Sequence, residues 1–238
     1  VLIAAALVPS LPALVPELNG ADSAETEEVR LAASAECARL DAATTRWTVL
    51  GIGPATARYP ATTRGTFAGF GVDLVVGLGP DPAGPVDPQL PVSVLVGAWL
   101  RGRVAPAVGA DAWVVAADAA PAQCAELGAA LRRELDAEPT PHGLLVVADG
   151  ATTLTARAPG YHDPRAAAVQ AGVTAALGAA DRAALAALDP ELCAELGITG
   201  RAAYQVLAGA LPDAVGSTTY AAAPFGVAYH VGRWEPRR

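Results

Sequence analysis

The sequence predicts an α/β fold: a single domain built on a central, mainly parallel or mixed sheet flanked by helices. Three observations carry this expectation. Short apolar, β-like runs alternate with Ala-rich helical segments along the whole chain, the pattern of a sheet buried between helical layers. With 238 residues, 53% of them hydrophobic and 17% charged, the chain can bury a large core without metals or disulfides. The one Pro/Gly-rich break, Gly79 to Pro91, has the same kind of pattern on either side, so it reads as a surface excursion rather than a linker between two domains.

The elements follow in order. Val1 to Val8 is apolar, has no basic segment before it and is followed by Pro9, Pro12 and Pro16, which favours a buried first strand over a signal peptide. Asp22 and Ser23 precede an acidic first turn (Glu25, Glu27, Glu28), and Val29, Ala33, Cys37 and Leu40 then recur at helical spacing, predicting a long crossover helix. Strands are predicted at Trp47 to Ile52, Val72 to Leu78, Ala112 to Ala116, Leu144 to Ala148 and Gly226 to Val231. Further helices are predicted at Val92 to Leu100, Pro121 to Leu135, Pro164 to Leu177, Ala180 to Leu188, Pro190 to Leu196 and Arg201 to Ala210. Arg101, Arg103, Arg132 and Arg133 read as solvated helix ends, where cations suit the dipole.

Composition narrows the function. The net charge is -8 and the basic residues, all arginine, are dispersed, which argues against a nucleic-acid partner. No stretch approaches the roughly 18 uninterrupted apolar residues of a membrane span, so no membrane partner and a cytoplasmic location are expected. Cys37, Cys124 and Cys193 are dispersed among helical segments and read as buried, reduced thiols. There is no Gly-x-Ser-x-Gly elbow, no P-loop and no cysteine beside a histidine. Gly51-Ile52-Gly53 lacks the third glycine of a dinucleotide fingerprint, and Pro54 removes an amide that a phosphate would need, so a tight turn is expected there.

Ligands of open α/β sheets bind at the carboxyl ends of strands. The corresponding segments here are Pro9 to Pro12, Gly53 to Thr56, Asp149 to Thr153 and a turn from Tyr220 to Pro224 leading to Gly226. Asp149 is the one carboxylate among them. It either holds loop amides together with a ligand hydroxyl or only caps the turn around Gly150. Of the three histidines, His142 falls at the amino end of its strand, away from such a site. His162 and Asp163, with Asp149 and His230, form the one set that could build a metal or acid/base centre. The plainer expectation is that Asp163 caps a helix begun by Pro164 and that His230 pairs with a backbone carbonyl.

Val8-Pro9-Ser10-Leu11-Pro12, Val147-Ala148-Asp149-Gly150-Ala151-Thr152-Thr153-Leu154 and the ending Ala223-Pro224-Phe225-Gly226-Val227-Ala228-Tyr229 resemble, in order and over nearly the whole chain, the class III extradiol ring-cleavage dioxygenase superfamily. The type is the β subunit of protocatechuate 4,5-dioxygenase, and the likeness is nearest to an actinobacterial branch without the metal ligands. The Pro-Phe-Gly-Val ending is the most specific match. The resemblance implies a non-haem ferrous ion held by two histidines and a glutamate, with a further histidine as acid/base. Those positions read Ser10, Gly53 or Pro54, and Ala221 or Ala222 for the ligands, and Thr152 for the acid/base. Only Asp149, which is not a ligand, carries over.

Fe2+ is therefore expected of the family but not of this chain, for which no cofactor is expected. The expected function is a dioxygenase-like protein that binds a small neutral or aromatic molecule, or a partner protein, in a cleft formed by Ser10, Pro54, Asp149, Thr152, Thr153, Tyr161 and Tyr220. The alternative is an enzyme with altered chemistry, using Asp149, Thr152 or His162 as catalytic groups, or a metal displaced to Asp149, His162, Asp163 and His230. A homodimer is expected by resemblance.

Overall fold

The computed structural model describes residues 1–19 and 24–237. The chain is an α/β fold around a seven-stranded mixed sheet. Four strands form its parallel centre: β1 (Leu2–Val8), β2 (Arg46–Gly53), β7 (Ala110–Ala116) and β8 (His142–Val147). Their order is β7-β2-β8-β1. On the far side of β1 lie β10 (Tyr229–Pro236) and β9 (Ala214–Ala222), each antiparallel to its neighbour, and β3 (Ala57–Tyr59) closes the other edge against β7. Because β10 reverses β1 and β9 reverses β10, β9 ends on the same edge of the sheet as β1.

The central strands are apolar on both faces, which is what burial between two helical layers requires. In β8, Leu144 and Val146 pack with α3 (Pro121–Asp136), α4 (Ala166–Ala179) and α7 (Arg201–Ala210), while Leu145 and Val147 pack with α1 (Ala24–Ala43) and α2 (Val92–Val104). Two short helices, α5 (Arg182–Ala186) and α6 (Pro190–Glu195), are capped by Asp181 and Asp189, whose carboxylates accept amide hydrogens of their first turns. The three cysteines are free and buried, as expected. Asp22 and Ser23, read as the start of the crossover helix, lie outside the described residues.

Several local expectations are corrected. The predicted strand Val72 to Leu78 shortens to β5 (Val75–Gly77) and leaves the main sheet; it joins β4 (Arg64–Thr66) and β6 (Val86–Asp87) in a small sheet of order β5-β4-β6. Leu78 and Leu90, at either end of the Pro/Gly-rich excursion, are both buried in the α1–α2 core, so this segment is anchored at both ends. Gly51 lies inside β2 rather than in a turn: a Cβ there would come within 2.3 Å of Ser93 Oγ, which donates to the Ile52 carbonyl. The glycine lets the start of α2 lie directly on the strand. Arg101 is buried, not solvated, because the end of α2 tucks under loops whose carbonyls at Gly77, Pro106 and Val108 it bonds. Finally, α4 starts at Ala166 rather than at Pro164, and Tyr220 to Ala222 belongs to β9 rather than to a turn.

Candidate functional site

The carboxyl ends of β1 and β8 lie side by side, since Val8 pairs with Val147. Asp149, two residues beyond β8, projects across this gap and its Oδ1 accepts the Ser10 amide at 2.8 Å. Its own carbonyl accepts the Gly200 amide at 2.8 Å. A side chain at Gly200 would come within 2.4 Å of that carbonyl and 2.8 Å of the Tyr204 ring, so the position needs glycine.

The loop after Asp149 is fastened from three sides. Gly150 donates to the Ala228 carbonyl and Ala228 to the Ala151 carbonyl, both at 2.9 Å. From α4, Gln170 Oε1 accepts the Ala151 amide at 2.8 Å while its Nε2 donates to Thr174 Oγ1 at 3.1 Å. Thr152 donates its amide to Leu196, and Thr153 Oγ1 donates to the same carbonyl at 2.8 Å. Main-chain groups satisfied in this way leave the loop little freedom.

The Asp149 side chain is largely enclosed by protein, with part of it reaching solvent, and among the described residues one hydrogen bond, from the Ser10 amide, offsets the loss of water. Burial pushes its pKa up from the ordinary carboxylate range to about 7, against a smaller opposing effect of the Ser10 amide. Among the described residues no cation forms an ion pair with it. The phenols of Tyr204 and Tyr229 are raised mainly by their own burial and secondarily by the Asp149 charge, which places both near it. Tyr204 is held by a bond from its hydroxyl to the Ala148 carbonyl at 3.2 Å.

The predicted cleft residues divide into groups. Ser10 and Asp149 are joined directly. Thr152 and Thr153 share their loop, but Thr153 is buried and committed to Leu196, and Thr152 is pressed against Gly197, where a Cβ would meet its Oγ1 at 2.0 Å. Pro54 is exposed at the end of β2. Tyr220 is partly buried and lies toward α1, close to Glu25, Glu28 and Tyr229. Tyr161 does not line a cleft: it is 97% exposed, because the loop that carries it turns outward. Tyr204, Tyr229 and Gln170 were not among the predicted residues. Tyr229 closes the Pro-Phe-Gly-Val motif, and that is the one signal that could have found it.

The four proposed metal ligands are not brought together. His162 is exposed. The carboxylate of Asp163 is engaged by Arg165, which depresses its pKa to about 2. His230 pairs with no carbonyl among the described residues: both of its ring nitrogens are buried without a partner there, and burial lowers its pKa to about 4. Among the described residues, no three or more His, Cys, Asp or Glu side chains converge on one point. His142 lies at the amino end of β8, as expected, where its Nε2 is 3.0 Å from Thr48 Oγ1.

The positions that the resemblance assigns to iron do share the carboxyl edge. Ser10 lies two residues beyond β1, Gly53 ends β2 with Pro54 just after it, and Ala221 and Ala222 end β9. A ferrous site needs imidazole and carboxylate donors, and glycine, proline and alanine side chains supply none. The residues present do not fit the ion.

No protein-family model matches the chain, and no curated protein matches it. Among solved structures it is similar to the crystal structure of the uncharacterized protein JW3007 from Escherichia coli K12, at 13% identity and a TM-score of 0.56, over 98% of this chain and 99% of that one. The likeness extends end to end and is one of fold.

Proposed function

We propose that this protein binds a small neutral or aromatic ligand at the carboxyl edge of its sheet, on a ring-cleavage dioxygenase-like scaffold whose iron ligands and acid/base histidine are replaced. The observation that carries this reading is Asp149: a carboxyl at the end of a central strand, with a pKa of about 7, flanked by two phenols and without an ion-pair partner. A carboxyl that is readily neutral can donate to a ligand oxygen as well as accept from the Ser10 amide. The small residues Ser10, Pro54, Ala221 and Ala222 around that edge bring no fixed charge, which suits an uncharged ring better than a phosphate. A cytoplasmic location and a homodimer belong to the same reading.

The test combines thermal-shift titration of wild type and Asp149→Asn with catechol and phenol, metal analysis after ferrous reconstitution, and oxygen uptake with catechol. Expected are stabilisation of wild type that weakens in Asp149→Asn, no stoichiometric iron and no oxygen consumption. A ligand that stabilises both proteins equally rejects Asp149 as its anchor, and iron-dependent oxygen uptake overturns the reading. One observation favours a second possibility, acid/base chemistry without iron: a carboxyl titrating near neutrality is poised for proton transfer. That reading requires turnover of a bound phenol, lost in Asp149→Asn with a pH profile breaking near 7.

A further inference from the structure

Beyond the carboxyl end of β7, on the side of the sheet covered by α3 and α7 and separated from β8 by β2, lies a cavity of about 450 Å³. Its wall is formed by Ala117 and Asp118 after the strand, by Cys193 and Ala194 of α6, and by Ile198 and Arg201 at the start of α7. The lining is predominantly apolar. Asp118 and Glu191 are exposed at its wall, and Arg201 is its one cation, only 2% exposed.

The partners of that cation are all uncharged. Its Nη1 donates to the Ala119 carbonyl at 2.7 Å and to Gln205 Oε1 at 2.9 Å, and its Nη2 donates to the Ala117 carbonyl at 2.8 Å. Gln205 is itself aimed by bonds from Nε2 to the Ala186 and Leu188 carbonyls. The nearby thiols of Cys124 and Cys193 are both raised by burial, so they supply no thiolate. Among the described residues no ion pair is formed by Arg201, whose side-chain partners are two carbonyls and the Gln205 amide oxygen. Buried charges are as a rule paired, and the positive end of the α7 dipole lies on the same side.

We infer that this cavity is a second binding site, taking a small monocarboxylate whose charge pairs with Arg201 and whose apolar body lies against Ala194, Ile198 and Cys193. The volume is within the range of small-molecule sites. The charge is specified as single because Asp118 and Glu191, both exposed, stand at the wall of the cavity and repel multiply charged anions such as phosphate. The site is distinct from the one at Asp149 and does not depend on it.

The test is calorimetric and thermal-shift titration with straight-chain monocarboxylates from propionate to octanoate and with 3-phenylpropionate. 3-Phenylpropanol and inorganic phosphate serve as probes of the apolar and ionic parts alone. Since truncating a buried arginine can unfold the protein, the primary variant is Ala194→Trp, which fills the cavity from an exposed position on its rim. Saturable binding by at least one carboxylate is expected with a Kd of about 1 mM or below, at least tenfold weaker or absent for the alcohol and phosphate, and lost in Ala194→Trp. Glu191→Gln is expected to tighten carboxylate binding severalfold at low salt, with the gain vanishing as salt is raised. The proposal is overturned if no carboxylate of the series saturates below about 10 mM, if the alcohol binds as tightly, or if Ala194→Trp binds unchanged.

Discussion

Replacing Asp149 with asparagine should stabilise the protein at alkaline pH, although it removes the one carboxylate of the proposed site. The side chain keeps its shape, and an amide oxygen can still accept the Ser10 amide as Oδ1 does now. What disappears is a charge that burial makes costly. The folded pKa of about 7 lies above the ordinary value of 3.8, so between these two values the folded chain holds a proton that the unfolded chain has lost. Folding stability therefore falls as pH rises through this window and levels off above pH 7. About three pKa units at 1.36 kcal/mol each set a ceiling of roughly 4 kcal/mol, and water reaching the partly exposed carboxyl brings a realistic figure to about 2 kcal/mol.

The assay is urea denaturation of wild type and Asp149→Asn at pH 5 and pH 8. At pH 5 the wild-type carboxyl is still protonated when folded, and the variant should gain only about 1 kcal/mol; the gap should widen by a further 1–3 kcal/mol at pH 8. An equal gap at the two pH values, or a variant less stable at pH 8, would show that the carboxylate is well solvated or paired, and the argument for a readily neutral Asp149 would fail.

His230 should produce the opposite slope. Its folded pKa of about 4 lies below the ordinary 6.5, so the unfolded chain gains a proton first as pH falls, and stability is lost between pH 6.5 and 4 by up to roughly 3 kcal/mol. His230→Leu, which also removes two unpartnered ring nitrogens, should flatten the acid limb of a stability–pH curve, and an unchanged limb refutes the assignment. Arg101→Ala strands three carbonyls that the guanidinium now bonds and should cost about 3 kcal/mol or more in urea melts. Arg103→Ala, whose guanidinium lies 5.5 Å from the Trp99 ring centroid on an exposed surface, should cost less than about 1 kcal/mol; equal losses would contradict the burial difference. Gly200→Ala drives a methyl to 2.4 Å from the Asp149 carbonyl and should destabilise by about 1–3 kcal/mol, with amide exchange accelerated across 149–153.

What the sequence by itself determined is the layer order. Apolar runs such as Leu144 to Val147 cannot face water on either side, so their alternation with helical segments requires a buried sheet, and α7 begins and ends where its pattern does, at Arg201 and Ala210. Asp149 was also legible, as the carboxylate that immediately follows a buried strand. Tertiary structure decided what local patterning does not encode. β9 eludes sequence patterning because this edge strand is exposed along most of its length and carries Ser217, Thr218 and Thr219, a composition shared with loops. Arg101 looks like any basic helix end until the chain after α2 folds back, bringing the Pro106 and Val108 carbonyls to it beside that of Gly77. The unpartnered nitrogens of His230, the phenols beside Asp149 and the uncompensated cation of Arg201 depend on contacts between segments far apart in sequence. Burial sets the electrostatics of such groups, and burial exists only once those segments have packed.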